Sequence, residues 1–167
     1  LWLITVDGGL NQFDKRTGTF TRHLHDPDNP ESVSANYLTG IYQDALGVIW
    51  FSSYGGTLHR IDPGARKFQS HVHDPRNPNS LSKGSYVAHG IEDQEGMIWI
   101  AVGGYGINRY DRNTRTFAHY RHVPGDPDSL PESYGQSVIE DRAGNLWVTT
   151  NSSIVLFDKR TGKAIRT

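Results

Sequence analysis

The chain has 167 residues, 17 basic against 18 acidic side chains, a net charge of −1 and no cysteine. So even a balance offers no basic face to neutralise a phosphate backbone, which argues against nucleic acid. No stretch reaches the roughly 18 apolar residues of a membrane span, so no membrane contact is expected. The lack of cysteine excludes thiol catalysis, cysteine-based zinc sites and disulfides.

Read along the chain, four tryptophans recur at near-constant spacing: Trp2, Trp50, Trp99 and Trp147. A period of this length marks a repeat architecture. It divides the chain into three nearly whole copies, 2–49, 50–98 and 99–146, and a partial fourth, 147–167. Asp14, Asp62 and Asp111 follow the first three tryptophans at one spacing, and Phe20, Phe68 and Phe117 at another. Asp44/Gly47, Asp93/Gly96 and Asp141/Gly144 precede the next tryptophan in each copy.

The first copy opens with Leu1-Trp2-Leu3-Ile4, which later copies place inside a second strand, so 1–25 is an incomplete unit. The next unit, 37–73, shows the full pattern: Tyr37–Gln43, Val48–Tyr54, Leu58–Asp62 and Lys67–His73 are short runs bounded by turn formers. Rich in Ile, Val, Tyr, Phe and Thr, they carry the strand signature, and no window holds an apolar stripe at helical spacing. Glycines in Ala45-Leu46-Gly47, Gln94-Glu95-Gly96 and Arg142-Ala143-Gly144 supply the positive φ of tight hairpins. The third unit spans 86–122 and the fourth 134–167, for about fifteen strands in all. Four antiparallel strands per repeat of about 48 residues make a propeller blade, so the fold class is an all-β propeller fragment.

A residue repeated at one position of every blade serves the blade. The tryptophans are therefore expected to fill the slots between blades, with Phe20, Phe68 and Phe117 alongside, and Asp14, Asp62 and Asp111 to brace turns by accepting backbone N–H bonds. The pairs His23/His25 and His71/His73 have a spacing that a zinc or nickel ion could use. Beside a proline-rich turn in successive blades, a bracing hydrogen bond is the preferred reading, and neither metal nor cofactor is expected. The chain reads as an excised piece: an open arc cut from a larger ring, four blades closed on themselves, or copies that associate to complete a ring; an open arc exposes blade faces and unpaired edges, so self-association is expected.

The run Ile91-Glu92-Asp93-Gln94-Glu95-Gly96-Met97-Ile98-Trp99-Ile100, preceded by His73-Asp74-Pro75-Arg76-Asn77-Pro78-Asn79-Ser80-Leu81-Ser82, resembles the two-component regulator propeller repeat. The resemblance covers essentially the whole chain. It implies a periplasmic sensor propeller of a bacterial hybrid histidine kinase or diguanylate cyclase, with the output domain elsewhere and, in some members, carbohydrate fragments as ligands. Val123 and Pro131 depart from the loop pattern, and the fourth copy lacks the glycine turn.

A ligand site needs chemically distinct groups from several blades, so the search falls where the copies disagree. The turns joining second and third strands share a rim with the starts of the inner strands. Asp7, Tyr54, Tyr105 and Asn151 from those turns, with Tyr37, Tyr86 and Tyr134 at the strand starts, are the candidate ligand-binding residues. Tyrosine suits an oligosaccharide or another small molecule, offering an apolar ring face and a hydroxyl. The recurrence of Tyr37, Tyr86 and Tyr134 favours packing for those three. The resulting expectation is a non-catalytic ligand-sensing module; a lyase-type propeller enzyme and a protein-interaction scaffold are the alternatives.

Overall fold

The computed structural model describes residues 1–65 and 67–165. Arg66, in the expected Pro63–Arg66 turn, and Arg166 and Thr167, at the end of the expected fourth blade, lie outside the described residues. The described residues hold fifteen strands: β1 Trp2–Thr5, β2 Gly9–Asp14, β3 Thr19–His23, β4 Leu38–Gln43, β5 Ile49–Ser53, β6 Thr57–Ile61, β7 Gln69–His71, β8 Tyr86–Glu92, β9 Ile98–Gly103, β10 Gly106–Asp111, β11 Thr116–Arg121, β12 Ser137–Glu140, β13 Leu146–Thr149, β14 Ile154–Asp158 and β15 Lys163–Ile165. They form one three-stranded and three four-stranded antiparallel meanders in chain order, which are four blades of a propeller arc.

Each hairpin between a first and second strand is closed by the same device. Asp44 accepts the backbone N–H of Leu46 and Val48 on Oδ1 and the indole N–H of Trp50 on Oδ2, at 2.7–3.0 Å. Asp93 does the same for Glu95, Met97 and Trp99, and Asp141 for Ala143, Asn145 and Trp147. Gly47, Gly96 and Gly144 sit at φ 79–83°, the left-handed region that a side chain disfavours. The acid, the glycine and the tryptophan of the sequence motif are thus one hydrogen-bonded unit.

The core lies between blades. Leu10 packs with Val33, Leu38, Ile49, Phe51 and Ile61 across the first junction, where Trp2 and Phe68 are half-buried. Trp50 packs with Val87, Ile98, Tyr110 and Phe117 across the second, and Trp99 with Val138, Leu146, Val155 and Phe157 across the third. Trp50 and Trp99 are 3% and 0% exposed, the inter-blade position expected of them. Phe117 is buried as well. Phe20 is not: it is 61% exposed and meets Phe13 at 4.7 Å on a face that no other blade of the described residues covers. The inner strands approach closely at Gly40, where a Cβ would meet the Ala88 carbonyl oxygen at 2.4 Å.

The long loops brace themselves. His25, His73 and His122 each engage through Nδ1 the carbonyl of an aliphatic residue, Val33, Leu81 and Leu130, at 2.8–3.0 Å. Ser32, Ser80 and Ser129 accept the backbone N–H of Asp26, Asp74 and Val123. The paired histidines therefore part company. His23 and His71 end their strands with their rings against Trp2 and Trp50, while His25 and His73 turn into the loops. Of the turn aspartates, Asp14 and Asp111 accept backbone N–H bonds from Arg16 and Asn113. Asp62 instead takes the Arg60 guanidinium at 2.6 Å, in a turn that Pro63 and Gly64 reshape.

Candidate functional site

The arc has two rims. One carries the hairpin units of Asp44, Asp93 and Asp141 together with the third-to-fourth-strand turns. Arg112 reaches from one such turn to Asp44 of the preceding blade and to Glu92, both at 2.9 Å. Lys159 occupies the same place one blade on, 2.7 Å from Glu140 and 3.4 Å from Asp93. Burial opposes the charge on Lys159, but its hydrogen bonds to Glu140 and Glu95 and the nearby Asp93 outweigh it and hold the ammonium above its ordinary pKa. This rim is a set of buckles between blades.

The other rim carries the candidate ligand residues. It is assembled because the second-to-third-strand turns lean on the starts of the next inner strands: Gly9 N–H donates to Asn36 O, Gly55 N–H donates to Ser85 O, and Tyr54 bridges Tyr86. Four tyrosines follow one another here across three blades. Tyr37 and Tyr54 meet edge to face at 5.6 Å, and Tyr86 and Tyr134 at 6.0 Å. Tyr37 and Tyr54 are 43% and 64% exposed. The ring of Tyr86 lies over Gly103, where a Cβ would come within 2.4 Å of it, so that glycine makes room for the ring. Burial and the Tyr134 hydroxyl beside it push the Tyr86 phenol above its ordinary pKa.

The remaining candidates divide. Asn151 is exposed on the rim and accepts from Gln136 at 2.8 Å, while the Tyr86 hydroxyl donates to the Gln136 amide oxygen at 3.3 Å. Asp7 is exposed in the first blade's turn at φ 58°. Tyr105 leaves the tyrosine row: it is half-buried against the core of the second junction, its hydroxyl 3.4 Å from His119 Nδ1 and Arg121 over its ring. In this turn Gly103 holds the position of Tyr54, and Tyr105 stands two residues on, where the preceding blade has Gly56.

Two features were not anticipated. Glu132 accepts from Thr150 and Ser152 on the fourth-blade turn and lies near Ser153, and these hydrogen bonds, that of Ser152 foremost, hold its carboxyl below the ordinary range. Its counterparts are Ala35 and Lys83, a disagreement between copies that marks the position in the sequence. Beneath the rim runs a polar column. His59, 0% exposed, sits between Ser34 Oγ at 2.8 Å and Ser70 Oγ at 2.9 Å. In the next blade Asn108 accepts from Ser82 N–H and donates to Ser82 Oγ. In the fourth blade both partners become apolar, Val155 and Pro131. Burial and then the neighbouring His71 lower the His59 pKa to about 4; burial and then Arg60 do the same for His71. Among the described residues no group of three or more His, Asp or Glu side chains is placed to hold a metal ion.

No family model and no curated sequence matches the chain. Solved structures do. The extracellular domain of BT3049 from B. thetaiotaomicron, assigned as a hybrid two-component system, superposes with a TM-score of 0.78 at 21% identity, over 98% of this chain and 21% of that one. The chain is a segment of a β-propeller. The extracellular domain of BT4673 from the same organism, assigned as a one-component system, gives a TM-score of 0.69 at 20% identity over 98% and 22%. Virginiamycin B lyase from Staphylococcus aureus gives 0.67 at 17% over 98% and 53%. The segment thus spans about a fifth of the length of the two sensor domains it matches.

Proposed function

We propose that this segment is the ligand-facing part of an extracytoplasmic sensory propeller of a bacterial two-component or related signalling protein, in the periplasm. The observation that carries the reading is the row Tyr37, Tyr54, Tyr86 and Tyr134, exposed or half-exposed on one rim and flanked by groups that differ from blade to blade, Gln136, Asn151 and Glu132. Rings with apolar faces and hydroxyls beside amides suit an oligosaccharide, which stacks on aromatics and exchanges hydrogen bonds with neutral polar groups. The fold shared with two extracellular sensor domains supports the same reading.

Saturation-transfer NMR of the 167-residue chain with a panel of neutral and acidic oligosaccharides tests it. Transfer to at least one oligosaccharide, lost in Tyr54→Ala and Tyr86→Ala, is expected. Absence of transfer from every oligosaccharide overturns carbohydrate as the ligand class. The likeness to a lyase motivates a second arm, in which consumption of the oligosaccharide is followed in the same tubes. No consumption is expected, because Glu132, the carboxylate beside Tyr134 on this rim, is held ionised by the fourth-blade turn and is a weak base for abstracting a proton.

A further inference from the structure

The polar column of the second blade reaches the surface, and that of the third does not. Ser34 is exposed, whereas Ser82 at the same position is 2% exposed. The turns between second and third strands differ in step. The second blade has Gly56 where the third has Tyr105, whose ring packs on the junction core and whose hydroxyl lies beside His119. The glycine brings no side chain over Ser34. The exposed rings of Tyr37 and Tyr54 stand close by: Ser34 Oγ lies 3.0 Å from the hydroxyl of Ser53, the residue before Tyr54, and Tyr54 N–H donates to Tyr37 O.

The Ser34 hydroxyl has one polarity. Ser34 N–H donates to His59 Nε2 at 3.4 Å, which makes that nitrogen an acceptor and puts the imidazole proton on Nδ1, 2.9 Å from Ser70 Oγ. At 2.8 Å from the same nitrogen, the Ser34 hydroxyl donates its own proton to it. Ser53, 0% exposed, then donates to Ser34. Ser34 is left with a lone pair facing the rim and no proton to offer. The third blade has the opposite order. There the Asn108 amide donates to Ser82 Oγ while accepting Ser82 N–H, so that hydroxyl keeps its proton.

We infer that Ser34 is a specificity-determining acceptor of the rim, held in that state by His59, and that the oligosaccharide it selects carries an N-acetylhexosamine. The inference rests on the oligosaccharide reading of this rim. A sugar hydroxyl can donate or accept, so a fixed acceptor discriminates little among hydroxyls, whereas an acetamido N–H can only donate. The acetamido methyl is apolar, and Tyr37 and Tyr54 offer exposed ring surface beside Ser34 to receive it. His59 touches no ligand. It is a positioning residue that fixes where the Ser34 proton points.

Saturation-transfer titrations of the 167-residue chain with two matched pairs of sugars test the inference. The pairs are tri-N-acetylchitotriose against cellotriose and N-acetyllactosamine against lactose, which differ only in acetamido for hydroxyl. In at least one pair the acetylated member is expected to bind about tenfold more tightly, the combined scale of a hydrogen bond and a buried methyl, with the strongest transfer at the acetyl methyl. Ser34→Ala is expected to cut that preference to about threefold, the share of the methyl. His59→Asn gives Ser34 the Asn108 arrangement and turns its proton outward. The preference is then expected to fall as far as in Ser34→Ala, with the strand circular dichroism unchanged, which a merely structural role would not produce.

Failure of both acetylated sugars to outbind their partners, including failure to bind at all while another oligosaccharide does, overturns the inference and leaves the oligosaccharide reading standing. A full preference surviving in Ser34→Ala overturns it as well, and one surviving in His59→Asn overturns the role given to His59. Absence of transfer from every oligosaccharide overturns the reading of the rim and the inference together.

Discussion

The two rims of the arc are made by the same repeats and obey opposite rules. On the hairpin rim the acid of each unit is committed to its own turn and its own tryptophan, blade after blade, and Asp44 and Asp93 also hold a cation of the following blade. Its repetition is therefore that of a structural part. On the tyrosine rim the rings recur, but the groups around them change: Ala35, Lys83 and Glu132 stand at one position, and only the last reaches across to the turn of its own blade. Acids bonded within and between blades leave nothing for a ligand, while exposed rings with unshared edges do. The difference between the rims is one of committed against available polar groups.

The largest expected effect belongs to the first rim. Asp93→Ala strands the Trp99 indole N–H and two backbone N–H groups in a buried turn, where Asp93 is 4% exposed. A loss of about 3–5 kcal/mol in urea unfolding is expected, the scale of breaking a buried charged network. A loss below ~1 kcal/mol, the size of an ordinary net hydrogen bond, would erase the distinction between rims.

Next comes acid. His59 and His71 are neutral in the fold with pKa values lowered from 6.5 to about 4. The unfolded chain binds their protons first, so their contribution is complete above pH 6.5 and is lost as the pH falls through 4. Each accounts for about 3 kcal/mol at most, at 1.36 kcal/mol per pKa unit. Asp141, drawn down from 3.8 to about 2 chiefly by the Trp147 and Asn145 hydrogen bonds, acts in a lower window: its contribution is present above pH 3.8 and lost as the pH falls through 2. Urea unfolding between pH 7 and 4 is expected to show the histidine loss, which His59→Asn reduces by mimicking the Asn108 solution of the next blade.

The blades, their strand count and the role of the tryptophans are legible in the sequence because each rests on a repeated residue. Asp-x-x-Gly-x-x-Trp needs no distant partner, and a comparison of copies displays it. The polar column under the rim was hidden for the opposite reason. His59 and Ser34, Asn108 and Ser82, and Val155 and Pro131 are pairs whose members change together, and no single position shows the pattern. Tyr105 illustrates a different limit. It shares the second-to-third-strand turn with the others, yet it stands at the turn's third position, where Gly56 stands one blade earlier, and its ring goes into the blade junction instead. Asn108→Val turns the column into a measurement. Alone it leaves Ser82 N–H and Oγ without a partner and is expected to cost ~1–3 kcal/mol, whereas Ser82→Pro added to it removes both donors, as in the fourth blade, and recovers part of the loss.

The smallest effect on stability and the sharpest on function are expected together at Tyr54. Its side chain is 64% exposed, edge to face with Tyr37, and its backbone rather than its ring bridges to Tyr86. Truncation to alanine therefore leaves the strand pairing in place and is expected to change stability by no more than ~0.5 kcal/mol, as for other exposed positions. A stacked ring is worth roughly 0.5–1.5 kcal/mol beyond its area, so the same truncation is expected to weaken an oligosaccharide on this rim about tenfold. Asp93→Ala should show the reverse profile wherever it remains folded, with binding kept and stability lost. If Tyr54→Ala destabilises the chain as much as Asp93→Ala does, the tyrosines are packing residues like the tryptophans, and the second rim is a structural one as well.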